Sequence, residues 1–300
     1  SDITVSEWTY ADSKDTAIKV TDKVTLTGNL DDIAVYNSVV NGVVTITAVP
    51  KTKGTFKEVE PVSINSNATL SQSCDIHTGV RTITLTNITG NVNVTFYGTY
   101  SYDLITEFTV NARESVRMLY LYFNSSDKEK ILRIREGDED IPVTSTHSWD
   151  EGGKHILRYS FTNHTVPYDM FNDVKAITAI EIGDCVTALE SYAFKGTSIE
   201  RIIIPETITS FGSSLFYNCT KLKNAVLPKG ITEIYDSMFR GCTSLQSIDI
   251  PDGVTRFGDY AFDRCSSLAS IILPAGVTYV GNYCFSECSN LRHIVSLPVK

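Results

Sequence analysis

The sequence predicts a mainly β protein, in which an N-terminal antiparallel β-sandwich precedes a solenoid with a parallel β-sheet. The first observation is a 23-residue period in the second half, at which proline, phenylalanine and cysteine each recur in phase. A fixed period of this length is typical of a solenoid, because each unit buries its apolar face only against its neighbours. The second observation is frequent alternation of apolar and polar residues in the first half, without a helical stretch. The periodic residues are Pro205, Pro228, Pro251 and Pro274; Phe216, Phe239, Phe262 and Phe285; and Cys219, Cys242, Cys265 and Cys288.

Residues 1–110 are predicted to form the sandwich, which we expect to be immunoglobulin-like (Ig-like). Alternation is clear over residues 92–97. Asn41-Gly42 lies between pairs of valines, and this dipeptide is the strongest short signal for a hairpin because both residues tolerate positive φ. A second turn is predicted at residues 89–91. Short strands at this spacing favour a small antiparallel sandwich.

Residues 111–164 are predicted to contain strands at 116–123, 130–134 and 156–161. We interpret the segment as a β-rich linker or an N-terminal cap, since a solenoid needs a polar cover over the exposed end of its core. A separate small domain is the alternative, although the segment is short for one.

Residues 165–300 follow the pattern P-x-G-V-T-x-F-G-x-x-A-F-x-x-C-x-x-L-x-x-I-x-I. The Leu-x-x-Ile-x-Ile part predicts a short strand that points its apolar side chains inward and stacks in parallel on the next coil. Proline ends that strand. Phenylalanine fills the coil, and cysteine serves as a small apolar residue. Glycines at 230, 253 and 276 are expected to let the chain turn, and an earlier, degenerate unit begins near Phe171.

Two stretches resemble the BspA-type leucine-rich repeats of bacterial surface proteins: Leu-Pro-Lys-Gly-Ile-Thr-Glu-Ile at 227–234 and Ala-Phe-Asp-Arg-Cys-Ser-Ser-Leu at 261–268. Residues 84–95 resemble, more weakly, the β-sandwich modules that often precede such repeats in gut bacteria. The resemblance implies export to the bacterial cell surface or outer membrane and adhesion to host or matrix proteins. It carries over no catalytic residue and no cofactor.

The composition excludes several classes of function. The formal net charge is −9, which argues against a nucleic-acid partner, because that would need a basic patch. No run of eighteen apolar residues is present, so we expect no transmembrane segment. The chain starts at Ser1 without methionine, which leaves room for a leader or a lipid anchor before it. No motif of a known hydrolase, P-loop or dinucleotide site occurs, so we expect no enzyme and no cofactor.

Three clusters contain side chains that are typical of metal or reactive sites, but none meets a known spacing rule, so no metal site is predicted. The repeat cysteines are interpreted as buried and reduced, with the state of Cys74 and Cys185 left open. His147, Asp150, Glu151 and His155 around Trp149 are interpreted as a solvated loop. The acidic run at 136–140 is interpreted as a charged turn. The alternative for the histidine-containing cluster is a transition-metal site, and for the acidic run it is a calcium site.

The candidate binding residues come from the middle position of Ile-x-Ile, which points out of the coil. That column contains four β-branched aliphatic residues, and an apolar stripe rimmed by polar groups can mark an interface. Strand propensity alone, or cover by the N-terminal domain, are the alternatives. The candidates, with polar residues from the column two positions earlier, are Ile203, Val226, Asp249, Ile272, Val295, Arg201 and Asn224.

The predicted function is non-enzymatic recognition or adhesion, in which the solenoid sheet binds an extracellular protein, such as a matrix protein. One alternative is a structural spacer that displays another module. Another is a surface glycan-binding component, for which Tyr192, Tyr260 and Tyr283 share one repeat column. We expect these tyrosines to be partly buried beside the phenylalanine column.

Overall fold

The computed structural model describes residues 17–30, 32–51, 57–75, 79–97, 99–120 and 129–296. Contacts divide the chain into two compact units, Ser1–Tyr102 and Asp103–Lys300. Both are mainly β, and the helix in the described ranges amounts to one 3-10 turn, Thr162–His164. Over these ranges, no helix has the length and apolar character needed to cross a membrane.

The first unit consists of short strands in two larger sheets and one strand pair. The sheets have the orders β1-β2-β9-β6 and β3-β4-β8-β7, and β5 pairs with β10. Their inward residues, such as Leu26, Ile46 and Val94, belong to a single buried cluster. The strands are β1 (Ala17–Lys19), β2 (Val24–Gly28), β3 (Ile33–Val40), β4 (Val43–Pro50), β5 (Lys57–Val59), β6 (Ser63–Ile64), β7 (Thr69–Cys74), β8 (Arg81–Thr86), β9 (Val92–Phe96) and β10 (Thr99–Ser101).

The hairpin predicted at Asn41-Gly42 is confirmed. Val40 of β3 is the register partner of Val43 of β4, and the two turn residues have φ values of 50° and 76°. The turn predicted at 89–91 lies between β8 and β9, which belong to different sheets, so it connects the sheets rather than two paired strands. Because β2 pairs in parallel with β9, the unit is not purely antiparallel. The Ig-like assignment stays a prediction.

The second unit begins with an antiparallel sheet of order β14-β13-β16-β11-β18, beside the pair β12-β15. The strands predicted at 130–134 and 156–161 correspond to β13 and β16. The strand predicted at 116–123 is shorter than expected, because β12 ends at Arg117; residues 121–123 lie outside the described ranges. The bounds are β11 (Leu104–Val110), β12 (Ser115–Arg117), β13 (Ile131–Glu136), β14 (Glu139–Asp140), β15 (Thr146–Ser148), β16 (Gly153–Phe161), β17 (Thr165–Val166) and β18 (Ile177–Ile182).

The boundary between the two compact units falls between Tyr102 and Asp103. β11 pairs with both β16 and β18, the strand of the first repeat, so this strand lies in the second unit. Apolar alternation identifies a strand but not its partners, so this pairing could not be predicted from the sequence. Residues 104–161 thus continue the first repeat as an antiparallel extension and share its buried core. The three-part division into 1–110, 111–164 and 165–300 stays a prediction.

The solenoid has about six turns and two sets of parallel strands. On one side the Ile-x-Ile strands form the pairs β20-β22 and β25-β27. A second set, β17-β19-β21 and β23-β24-β26, was not predicted. Its strands are only two residues long, too short for a periodicity to reveal. The bounds are β19 (Ala188–Leu189), β20 (Arg201–Ile203), β21 (Ser210–Phe211), β22 (Asn224–Val226), β23 (Glu233–Ile234), β24 (Arg256–Phe257), β25 (Ser270–Leu273), β26 (Tyr279–Val280) and β27 (His293–Ser296).

A ladder of stacked phenylalanine rings fills the coils. Neighbouring ring centroids are 5.4 to 6.1 Å apart and their planes differ by 8° to 13°. The offset-stacked range for aromatic pairs includes these distances, so each ring adds both buried area and pair energy. The ladder comprises Phe171, Phe194, Phe216, Phe239, Phe262 and Phe285.

Each ring of the ladder lies between two left-handed backbone positions, two residues before it and two after it. The φ values there lie between 54° and 74°. Most of these positions carry a side chain, although left-handed backbone favours glycine. Glycines 230, 253 and 276 lie in turns, as expected, but at positions outside this left-handed set. The residues are Asp169, Tyr192, Ser214, Ser237, Tyr260 and Tyr283, and Asp173, Gly196, Asn218, Gly241, Arg264 and Glu287.

Candidate functional site

The middle residues of the Ile-x-Ile strands point to solvent, as the two-residue strand period requires. The exposed fractions are 51% for Ile203, 42% for Val226, 54% for Ile272 and 47% for Val295, while the adjacent Ile202 is only 1% exposed. We call these four exposed residues the apolar stripe. Ile203 is the register partner of Val226, and Ile272 that of Val295, so the stripe consists of two directly adjacent pairs.

Asp249 occupies the coil between the two pairs and is also exposed. The main chain at 247–250 is not part of either strand pair, and among the described residues no main-chain hydrogen bond involves these four residues. The sheet is therefore interrupted here. The peptide groups of this coil have no main-chain partner among the described residues, whereas backbone donors and acceptors are normally paired.

A groove of ≈ 460 Å³ lies at this interruption. Its lining includes Asn224, Val226 and Asp249, three of the residues predicted to bind a partner, together with Lys229 and Ser247. Arg201 and Ile203 lie on β20, one coil earlier, and both are exposed. Three of the predicted residues thus line one groove, while Arg201 and Ile203 lie one coil before it and Ile272 and Val295 on the coils beyond it.

Two of the three tyrosines of the repeat column, Tyr192 and Tyr260, are half-buried and contact neighbouring side chains. The ring of Tyr260 stacks on that of Tyr283 at 5.1 Å, and the Arg240 guanidinium lies 4.7 Å from the Tyr260 centroid. Tyr192 is half-buried, and Lys195 lies over its ring at 5.6 Å. Tyr283 is 64% exposed, so the expected partial burial is wrong for this residue. Its exposure follows from its position near the end of the column.

The repeat cysteines form a ladder of hydrogen bonds between coils. Each Sγ lies 3.0 to 3.2 Å from the carbonyl oxygen of the phenylalanine in the preceding coil. Burial raises the pKa of the Cys219 thiol to about 11 and that of Cys284 to about 12. No disulfide joins the repeat cysteines in the described part of the chain. Burial is as predicted for Cys219, Cys242 and Cys265, whereas Cys288 is only partly buried.

The solvated-loop interpretation is wrong for His147 and His155, which lie half-buried on β15 and β16 with their rings 4.6 and 4.7 Å from that of Trp149. Asp150 and Glu151 are exposed, as that interpretation predicts. Trp149 is buried, and its Nε1 donates to Glu136 at 2.7 Å. His155 contacts the other oxygen of Glu136 at 2.6 Å and lies 4.7 Å from the indole ring. The carboxylate of Glu136 therefore serves the packing of two aromatic rings.

The acidic run at 136–140 forms the β13-β14 turn, as predicted. Arg133 Nε donates to Asp140 at 2.6 Å, and this hydrogen bond is the main cause that lowers the pKa of the carboxyl group. A carboxylate neutralised in this way is a poor calcium ligand.

One group of side chains of the types that bind metals was not predicted from the sequence. Asp103, His164 and Cys185 place one ligand atom each within 4.8 Å of one another. They lie far apart in the sequence, so no local spacing signals them. The pairing of β11 with β18 brings Asp103 close to Cys185, and the hydrogen bond from the Thr187 amide to the His164 carbonyl oxygen places His164 beside the same loop.

The family model for the BspA type leucine rich repeat region matches residues 164–292 in six copies. This segment is therefore a BspA-type leucine-rich repeat region, with solenoid turns of about 23 residues. Comparison with curated protein sequences yields no match.

Three crystal structures illustrate the likeness. A leucine rich cell surface protein from Faecalibacterium prausnitzii is 36% identical, over 37% of this chain and 30% of that one, with a TM-score of 0.36. A leucine-rich repeat protein from Bacteroides ovatus is 28% identical, over 40% of this chain and 36% of that one, with a TM-score of 0.35. The T. pallidum Leucine Rich Repeat protein is 27% identical, over 38% of this chain and 64% of that one, with a TM-score of 0.34. The matches span less than two thirds of each of those chains.

Proposed function

We propose that this protein is a non-enzymatic recognition protein of the bacterial cell surface, exported and adhering to an extracellular protein through the apolar stripe and its groove. Leucine-rich repeat proteins are generally non-enzymatic, and the fold is consistent with a role in protein interaction. The observation that carries the proposal is the exposure of four β-branched residues on the outward side of the strands. They form two pairs of neighbours, with the coil of Asp249 between the pairs.

The stripe and its surroundings have the layout of an interface. A recognition site typically has an apolar centre and a polar rim. Here Ile203 and Val226 form an apolar pair, while Arg201, Asn224 and Asp249 supply polar groups beside it. Covering the exposed half of each aliphatic side chain would contribute on the order of 1 kcal/mol. The contact would be broad and shallow.

The interruption at 247–250 adds hydrogen-bonding capacity to this face. A partner that covers the groove could bond to the peptide groups of this coil, in the way that partners use open backbone positions of sheets. Carboxylate, amide and ammonium groups of Asp249, Asn224 and Lys229 lie within the same groove. These groups favour a protein partner with both apolar and charged side chains, such as a matrix protein.

The alternative functions lead to different expectations. A spacer would use the solenoid only as a rigid rod, and its outer face would tolerate substitution. A glycan-binding component would need several exposed rings, but Tyr260 is covered by Arg240 and Tyr283, and of the three tyrosines in the column only Tyr283 is well exposed. The finer features of the proposal, namely an Ig-like N-terminal module, location at the outer membrane and anchoring by a lipid, rest on the resemblance alone.

The test is binding of the intact chain to an immobilised panel of matrix proteins and host glycans. We expect saturable binding to a protein and a roughly 10- to 30-fold loss of affinity in the Ile203→Ser/Ile272→Ser variant. The matched control is Tyr279→Ser/Val280→Ser, which removes two residues of similar exposure, 41% and 44%, from the second set of strands. Equal affinity of the stripe variant and the wild type would contradict the proposal, and absence of any binding would favour the spacer.

A further inference from the structure

Asp103, His164 and Cys185 converge on one point at the beginning of the solenoid. Nδ1 of His164 lies 2.7 Å from Oδ1 of Asp103, and Sγ of Cys185 lies 3.0 Å from the same oxygen. Asp103 is 2% exposed, whereas the side chain of His164 is 57% exposed. The carboxylate of Asp103 thus lies in the protein interior, and the exposed side of His164 gives solvent access to the group.

The main chain holds the three residues in place. The Gly183 amide donates to the Asp103 carbonyl oxygen at 2.8 Å, and the Thr187 amide donates to that of His164 at 3.0 Å. The second carboxylate oxygen of Asp103 accepts from the Phe161 amide at 2.6 Å. These bonds connect the residue before β11, the 3-10 turn and the first repeat. The three side chains are therefore preorganised, which is what a metal site requires of its surroundings.

The three donor types match those of zinc. Zinc binds thiolate sulfur, imidazole nitrogen and carboxylate oxygen, and sites with three protein ligands keep a fourth position for water. Tetrahedral zinc at its usual bond lengths separates such ligand atoms by about 3.3 to 3.6 Å. The atoms here lie within 4.8 Å of one another, so modest side-chain adjustment suffices. From this convergence we infer that Asp103, His164 and Cys185 form a binding site for a divalent transition-metal ion, zinc being the preferred one.

The arrangement does not suit nucleophilic catalysis. In a thiol-based triad the histidine lies between the thiol and the acid, so that it can remove the thiol proton. Here the carboxylate lies in the middle and contacts both other groups. Burial raises the pKa of the Cys185 thiol to about 12, which keeps it protonated until a cation replaces the proton. Metal binding converts Cys185 from thiol to thiolate and releases that proton to the solvent.

The ion would join the antiparallel extension to the first repeat. Asp103 precedes β11, and Cys185 lies in the loop between β18 and β19. A metal held by both would restrain the end of the solenoid. Because metal binds the folded protein, the melting temperature should rise with zinc concentration.

The experiment is a titration of the chelator-treated intact protein with Zn²⁺, with release of protons measured in parallel. Cys74→Ala serves as background, since it removes a partly exposed thiol from the other unit. We expect one Zn²⁺ per chain, release of at least one proton and a higher melting temperature. Cobalt(II) in place of zinc should give a thiolate-to-metal charge-transfer band.

Two ligand variants and one control decide the matter. His164→Gln and Cys185→Ala should each weaken Zn²⁺ binding more than about 10-fold, since even changes around the ligands cost 10- to 100-fold. Cys185→Ala should also abolish the cobalt charge-transfer band. The control His293→Gln, an exposed histidine on β27, should change neither. Absence of Zn²⁺ binding by the wild type, or equal binding by the three variants, would overturn the inference. Because His164→Gln alters an exposed side chain, we expect this variant to fold, so that weaker binding reports the loss of a ligand.

Discussion

The thiol of Cys242 donates a hydrogen bond to the carbonyl oxygen of Phe216, one coil earlier, across 3.2 Å. The same carbonyl oxygen accepts a 3.0 Å bond from the amide of Cys219, in its own coil. The equivalent carbonyls of Phe239 and Phe262 are shared in the same way by two successive cysteines. Cysteine recurs because the position needs a small apolar side chain that is also a weak donor.

Replacing Cys242 should therefore cost stability. Cys242→Ala removes the bond between coils and leaves a small void, and we expect a loss of about 1 to 3 kcal/mol in the free energy of unfolding. Chemical denaturation measures the difference. Ser247→Ala is the matched control, because it changes an exposed side chain and should stay within about 0.5 kcal/mol. Equal stabilities of the two variants would show that the thiol does not hold the coils together.

The buried thiols should make stability fall at alkaline pH. The pKa of Cys219 rises from its ordinary 9.0 to about 11 in the folded protein because of burial. Above about pH 9 the unfolded chain loses this proton while the folded chain keeps it, so the stability present below pH 9 declines until about pH 11. The slope is about 1.4 kcal/mol per pH unit for such a thiol.

The measurement is the free energy of unfolding of the wild type and of Cys219→Ala at several pH values between 8 and 10.5 (roughly the window set by the two pKa values). The comparison separates the contribution of this thiol from those of other titrating groups. The difference in unfolding free energy between the two proteins should shrink as the pH rises above 9. A constant difference would contradict the raised pKa.

Two glycines of the repeat should respond differently to alanine. A Cβ at Gly258 would lie 2.6 Å from the Asp236 amide nitrogen, whereas a Cβ at Gly230 would meet nothing within 4 Å. We expect Gly258→Ala to lose about 1 to 3 kcal/mol, because backbone must move to admit the methyl group. Gly230→Ala should be neutral or stabilising by up to about 1 kcal/mol. Thermal or chemical unfolding checks the pair, and a reversed order would be incompatible with the close approach of successive coils.

The exposed tyrosine provides a test of the glycan alternative. Tyr283→Ala removes the most exposed ring of its column and should leave binding to a protein target unchanged. Tyr260→Ala should lower the melting temperature instead, because that ring packs between Tyr283 and Arg240. Binding of the wild type to a glycan array that is lost in Tyr283→Ala would support the glycan-binding function instead.

The 23-residue period was sufficient to predict the phenylalanine ladder, the cysteine column and the outward residues of the strand, because each depends only on position within a coil. Features that depend on partners distant in sequence were not predictable. The pairing of β11 with β18 and the convergence of Asp103 on Cys185 are of this kind. The interruption at 247–250 was also hidden, since Ser-Ile-Asp-Ile fits the repeat pattern as well as its neighbours do.

The most direct measurement for the proposed recognition face is oxidative footprinting of the intact chain, alone and bound to a protein target from the panel. We predict protection of Ile203, Val226, Ile272 and Val295 in the complex, with Tyr279 and Val280 on the second set of strands labelled as in the unbound chain. Protection confined to Tyr279 and Val280, or to residues of the first unit, with the apolar stripe labelled equally in both states, would contradict the account.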